Sequence, residues 1–281
     1  MGRKENRLVF EDTERLCREN EDLAESIKNS IKKQRLIPEK EKIKSDSDNR
    51  FSGKAKVIVS AKRTYEAASA YIGQKTVVHN FASASNPGGG VTRGASAQEE
   101  ALCRCSTLYF CLNTDDMWNG FYQPHRKERN PLHNDDCIYT PEVTVFKSDT
   151  SNPRLMRVKD WYKVNVITCA APNLRDKPSN PMNPGDGSKA INVSDDELLS
   201  IHEKRLRRIL DVARQDKNDV VILGAFGCGA FANSPDVVAR AASNVIKDYL
   251  YDFKTIEFAV YCRPGDDRNY KTFDRILNEN R

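Results

Sequence analysis

Long hydrophobic runs are missing from this chain. Its apolar stretches stop well short of the ~20 residues that span a bilayer, so no membrane span is expected. The opening residues, Met1 to Arg7, are charged where a secretory signal would carry an apolar core. Zinc-ligand spacing is also missing. Cys103 and Cys105 stand too close together for a zinc knuckle, and no His/Cys pair follows at a suitable distance. Several of the eight cysteines, Cys169 and Cys262 among them, lie in apolar stretches, where a free thiol packs as a small hydrophobe. The expectation is a cytoplasmic protein with reduced thiols, no metal and no cofactor. Concentrated charge of one sign is lacking too. Lys and Arg number 45 against 40 Asp and Glu, a net charge of +5 spread along the chain. Without a basic stripe interleaved with aromatics, direct DNA binding is not expected. The mild excess would still help an acidic polymer approach.

What is present begins with a charge-dense segment that has no glycine between Gly2 and Asn49. Leu16, Leu23, Ile27 and Ile31 fall near helical spacing, and Asp12 or Thr13 is placed to cap. One amphipathic helix over roughly 12 to 34 is expected, stopped by Pro38. A polar linker from Glu39 to Asn49 would follow. Residues 1–50 therefore read as an N-terminal helical extension and 51–281 as the main domain.

From Lys54 onward strand-like and helix-like runs alternate. Lys54–Ser60, Thr76–Ala82, Trp161–Cys169, Asp219–Gly224 and Thr255–Cys262 read as strands, with Thr64–Tyr71, Gln98–Leu112 and Tyr270–Asn280 as helices between or after them. Ser194-Asp-Asp-Glu197 is a capping box that opens another helix, in which His202 is expected to pack or face solvent. This is the grammar of an α/β fold with a mostly parallel sheet, whose ligands lie at the carboxyl ends of the strands. The stretch 113–136 is long, polar and aromatic, and His125 and His133 in it read as surface residues. The Pro-, Asn- and Gly-rich run 171–190 reads as a loop over the site.

Two glycine-rich turns join strand to helix. The first contains Gly88, Gly89 and Gly90, the second Gly227, Cys228, Gly229 and Ala230. The second lacks both the Gly-Lys-Ser/Thr of a P-loop and the Gly-x-Gly-x-x-Gly order of a dinucleotide fold. Glycine lets the backbone approach a ligand closely, and the unpaired amides at a helix start attract phosphate. After the first turn come Gln98, Glu99 and Glu100. Ser96 with Glu99 fits a capping box, which gives Glu99 a structural task and leaves Glu100 freer for chemistry. Neighbouring helical residues point about 100° apart, so the two acids are not expected to share one role.

Gly88-Gly89-Gly90, seven residues, then Gln98-Glu99-Glu100 resembles the signature of the poly(ADP-ribose) glycohydrolases in their compact microbial form. The resemblance implies a macrodomain-like three-layer α/β/α sandwich with a mixed, mostly parallel central sheet. It implies hydrolysis of ribose–ribose bonds, with Glu100 as general acid and base and Glu99 holding ribose. Asn86 would hold the distal ribose, Phe231 would cover it, and Gln98 would belong to the substrate-binding set. The amides of Gly88, Gly89, Gly90, Gly227, Cys228, Gly229 and Ala230 would grip the diphosphate. The insertion at 113–136, which runs on into two strand-like pieces around Pro141 in Cys137–Phe146, would form a hairpin flanking the cleft. The partners would be poly(ADP-ribose) or ADP-ribosylated proteins, with ADP-ribose as product. A hydrolase of single protein-linked ADP-ribose and a non-catalytic ADP-ribose reader remain as alternatives, the latter disfavoured because a reader needs no acid at position 100.

Overall fold

The computed structural model describes residues 2–43, 49–181 and 183–279. Two helices open the chain, α1 (Arg3–Glu19) and α2 (Glu21–Lys33), where periodicity predicts one. The break falls at Asn20, whose backbone is extended and whose side chain accepts a hydrogen bond from the amide of Leu23, capping α2. Asp12 and Thr13 therefore lie inside a helix instead of capping one. A three-residue strand, β1 (Arg35–Ile37), precedes Pro38. It is too short to show alternation, and the sequence does not announce it. Residues 44–48 of the expected linker lie outside the described residues.

Next come β2 (Lys56–Ser60), α3 (Thr64–Ala68), β3 (Thr76–Ala82), α4 (Gln98–Cys105) and α5 (Leu108–Leu112). The helix expected over 98–112 is interrupted because the Cys105 carbonyl is taken by the amides of Phe146 and Lys147. The insertion is helical, not a hairpin. It holds α6 (Asp115–Met117), a π-helical turn at Trp118–Tyr122 and α7 (Gln123–Glu128), and Thr114 Oγ1 caps its start by accepting from the Met117 amide. Then β4 (Cys137–Val145) runs as one strand whose register slips between Thr140 and Val143. Pro141 has no amide to give a ladder, and Glu142 takes a left-handed φ of 55°, so a bulge forms at that point. The remaining elements are β5 (Tyr162–Ala170), α8 (Asp195–Gln215), β6 (Val220–Leu223), α9 (Pro235–Ile246), β7 (Thr255–Ala259) and α10 (Arg268–Glu279).

The strands form one sheet in the order β1-β4-β5-β3-β6-β7-β2. The run from β5 to β2 is parallel, while β4 is antiparallel to β5, and β1 to β4. Successive side chains along a strand face opposite layers, so Val77 and Val221 pack among α8, α9 and α10, whereas Val78 and Ile222 pack among α1, α3, α4 and α5. The result is the expected macrodomain-like sandwich. Because β3 lies between β5 and β6, the segments following these three strands leave the same edge side by side. Among the described residues no helix is long and apolar enough to cross a membrane.

Helix α1 is part of this packing. Phe10 is buried, its ring 4.9 Å from that of Tyr109 and nearly perpendicular to it. The buried Lys147 donates to the Val9 carbonyl and to Thr13 Oγ1, and pairs with Asp12. Thr13 in turn donates to the Arg104 carbonyl at 2.6 Å. Phe10→Ala is expected to cost about 3–5 kcal/mol of stability, the range for a buried aromatic replaced by a cavity. Urea unfolding checks this, and a loss below about 1 kcal/mol would mean that α1 is only loosely attached.

Candidate active site

Glu99 and Glu100 stand in the first turn of α4, and both are buried. Gln98 fastens that turn to the sheet. Its Oε1 accepts from the Phe81 amide at 2.9 Å, and its Nε2 donates to the His79 carbonyl at 2.7 Å and to Thr64 Oγ1 at 3.0 Å. Both amide hydrogens are thus engaged, which corrects the substrate-binding role expected for Gln98. The Ser96–Glu99 capping box does not form either. The N-cap is Ala97, and Glu99 bends back to accept from the Ser83 amide at 2.8 Å and from Asn80 Nδ2 at 3.3 Å. A buried amide from the end of β3 outcompetes an exposed serine.

The triple glycine wraps these carboxylates. Gly88 and Gly89 have φ of 64° and 58°. A Cβ on Gly89 would lie 2.5 Å from Glu100 Oε1 and 3.1 Å from Glu99 Oε2, so the backbone reaches both acids only because no side chain is there. The Gly90 amide donates to Glu100 Oε1 at 2.9 Å, the Gly89 amide to the Asn86 carbonyl at 3.0 Å, and the Gly88 amide favours the ionised form of Glu99. The Gly89 and Gly90 amides expected to face phosphate are therefore taken within the protein, and this turn wraps the Glu100 carboxylate. Asn86 braces it, donating to the Gly89 carbonyl and accepting from Arg126 at 3.4 Å. Arg126 also donates to the Ser85 carbonyl and lies over the Trp118 ring at 4.7 Å. Nothing in the sequence marks this arginine, because its contacts depend on the unforeseen helices of the insertion.

Burial, joined by the neighbouring charge of Glu100, holds the carboxyl of Glu99 well above the ordinary range, against the opposing pull of Ser83, Asn80 and Gly88. Burial also raises Glu100, opposed by the Gly90 amide and by Arg104. The two acids differ in one respect. Both oxygens of Glu99 have partners, whereas Glu100 Oε2 is enclosed and has no hydrogen-bond partner among the described residues. Glu100 thus combines a raised pKa with an oxygen able to carry a proton.

The second glycine turn leaves β6. Gly227 has φ of 78°, and a Cβ there would lie 2.7 Å from that of Ala171. The Cys228 amide bonds back to the Ala225 carbonyl at 3.1 Å, which corrects its expected role as a free donor. The amides of Gly227, Gly229, Ala230 and Phe231 have no acceptor among the described residues. Phe231 is half-buried, with the Arg175 guanidinium 5.4 Å from its ring centre. The segment 171–190 touches both turns. Leu174 donates to the Phe231 carbonyl, while Asn183 accepts from the Ser83 and Ser85 hydroxyls. His133 and His125 are buried, contrary to expectation. His133 donates from Nδ1 to the Ala171 carbonyl and sets Nε2 3.3 Å from Asp186, while His125 sits between the Phe121 carbonyl and Asn134.

Residues 7–148 match the family described as "Microbial-type PARG, catalytic domain". The chain belongs to that family. The matched stretch carries the first glycine turn and both glutamates. Similarity to solved structures covers most of the chain. The poly(ADP-ribose) glycohydrolase (PARG) from Thermomonospora curvata is 26% identical with a TM-score of 0.81, covering 96% of this chain and 98% of that one. The same protein bound to the inhibitor ADP-HPD gives 26% identity and a TM-score of 0.79, with the same coverage. The PARG from Deinococcus radiodurans in complex with ADP-ribose is 28% identical with a TM-score of 0.73, covering 90% of this chain and 97% of that one. Curated proteins gave no match.

Proposed function

We propose that this protein hydrolyses the ribose–ribose O-glycosidic bonds of poly(ADP-ribose) and releases ADP-ribose, with Glu100 as general acid and then general base. The observation that carries this reading is the unpartnered Oε2 on a buried carboxyl with a raised pKa, beside a second glutamate and within reach of a glycine turn. Membership of the PARG family and similarity to PARG structures holding ADP-ribose or ADP-HPD support it.

The bond to be broken joins an acetal carbon to the ribose oxygen of the next unit. As it opens, positive charge spreads over the acetal carbon and ring oxygen. Protonated Glu100 gives its proton to the departing oxygen, which leaves as a hydroxyl. The carboxylate that remains accepts a proton from water as the water oxygen bonds to the acetal carbon, restoring the acid. Glu99, anchored on Ser83 and Asn80, holds ribose hydroxyls. The free amides of Gly227, Gly229, Ala230 and Phe231 grip the diphosphate, so that the scissile oxygen is held against Glu100. Asn86 keeps one N–H for the distal ribose, and the Phe231 ring covers it. Eight free thiols fit a cytoplasmic location.

The test is incubation with labelled poly(ADP-ribose) and, separately, with a panel of proteins carrying single ADP-ribose groups. Release of ADP-ribose from the polymer is expected. Release from the mono-modified proteins alone would replace the reading with a mono-ADP-ribosyl hydrolase. Binding of ADP-ribose without release from either would leave a non-catalytic reader.

A further inference from the structure

We infer that Asn233, aligned by His202, is a positioning residue that shapes the turn proposed to grip the diphosphate. The inference rests on the glycohydrolase reading and assigns that reading a residue outside the motifs. The turn has few bonds of its own: Phe226 to Gly224, Cys228 to Ala225, Ala232 to Gly229 and Asn233 to Gly227 are its backbone bonds. Beyond these, the Leu174 amide donates to the Phe231 carbonyl at 2.9 Å, and one side chain supplies three further bonds. Asn233, 2% exposed, donates from Nδ2 to the carbonyls of Pro172 at 2.7 Å, Phe231 at 3.1 Å and Gly227 at 3.2 Å. Two N–H groups thus serve three carbonyls. They tie both ends of the donor run to the segment after β5, and they leave its amides facing away from protein acceptors.

A buried amide has two orientations, and only one works here. Turned over, Oδ1 would face three carbonyl oxygens, a repulsive arrangement. His202 selects the productive orientation, because its Nε2 lies 2.8 Å from Asn233 Oδ1, and an oxygen there needs a donor opposite. His202 sits on α8, is 3% exposed, and is kept neutral by burial, its pKa lowered to about 4. The single N–H of the neutral ring is therefore at Nε2. Gly227 belongs to the same arrangement, since a Cβ on it would lie 2.8 Å from Asn233 Nδ2.

None of these groups touches the reacting atoms. Fixing the turn before substrate arrives removes part of the ordering cost of binding. The effect therefore falls on affinity, felt equally by substrate and transition state, and not on the proton transfer at Glu100.

ADP-ribose binding by calorimetry and steady-state kinetics on labelled polymer test this with Asn233→Ala, His202→Leu and His202→Gln. Asn233→Ala should weaken ADP-ribose binding and raise KM by about tenfold or more, with kcat changing far less. His202→Leu should move both in the same direction. His202→Gln keeps an N–H donor and should recover most of the loss. Unchanged affinity in Asn233→Ala, a fall in kcat at constant KM, or identical behaviour of the two His202 variants would overturn the inference. Should Asn233→Ala fail to fold by circular dichroism, the His202 pair decides alone. Failure of the unaltered protein to bind ADP-ribose would sink the glycohydrolase reading as well, whereas normal binding left untouched by Asn233→Ala sinks only the positioning role.

Discussion

Glu100→Gln is expected to stop turnover of poly(ADP-ribose) and to leave ADP-ribose binding intact. The replacement is nearly isosteric and keeps an oxygen to accept from the Gly90 amide, as Glu100 Oε1 does at 2.9 Å. What it removes is the exchangeable proton on the other arm of the side chain. General acid–base catalysis contributes about 10²–10⁴-fold, and a loss at the upper end is expected because in the proposed mechanism one carboxyl serves both halves of the reaction. The pH dependence follows from the same group. Burial raises the Glu100 carboxyl, so its acid form persists above the ordinary carboxylate range, and the single-turnover rate should fall as pH rises through the raised pKa. Stability moves in the same direction. The folded state favours the protonated forms of Glu99 and Glu100, so their contribution is fully present below the unfolded carboxyl pKa. It is lost as pH rises through the folded values. Turnover by Glu100→Gln at the unaltered rate would remove this residue from the chemistry.

Gly89→Ala should be nearly as damaging without changing any ionisable group. Position 89 has φ of 58°, where a side chain costs roughly 1–2 kcal/mol, and the added methyl would sit 2.5 Å from Glu100 Oε1. The carboxylate must then swing away or the turn must open, and misplacement on the scale of 1 Å costs about 10²-fold in rate. Gly73→Ala separates the two effects. It shares a left-handed φ, 91°, but nothing lies within 4 Å of its added Cβ. Turnover assays and urea unfolding on both variants should show stability lost in each and activity lost only in Gly89→Ala. Activity within a few-fold of normal in Gly89→Ala would show that the turn does not set the position of Glu100.

The parallel strands were legible because they are short, continuous apolar runs, as in Val220–Leu223. The Ser194–Glu197 capping box was legible because all of its atoms lie within four residues, and it forms as written. The glutamate pair and both glycine turns could be located from spacing alone. The direction of the amides could not. A glycine run before a helix promises unpaired donors, but φ above zero at Gly88 and Gly89 turns the peptide planes of the first run inward, onto acids ten residues away. Local patterns failed wherever a distant partner won. Ser96 lost Glu99 to an amide sixteen residues earlier, and Gln98 was drawn to the backbone of β3. The break at Asn20 lay hidden because both α1 and α2 carry apolar residues on the face they bury, so in the sequence one stripe runs across it.

The placement of β2 bears on when the protein becomes complete. Among the described residues its only strand neighbour is β7, far from it in sequence, with Val57 opposite Ile256 and Ser60 opposite Ala259. During synthesis β2 leaves the ribosome well before β7 and waits, without its neighbour, until that strand has followed. Contacts of such sequence separation slow folding. A chain cut short before Thr255 would lack the partner of β2 and would leave β6 as an open sheet edge, the kind of edge through which unfinished copies join one another.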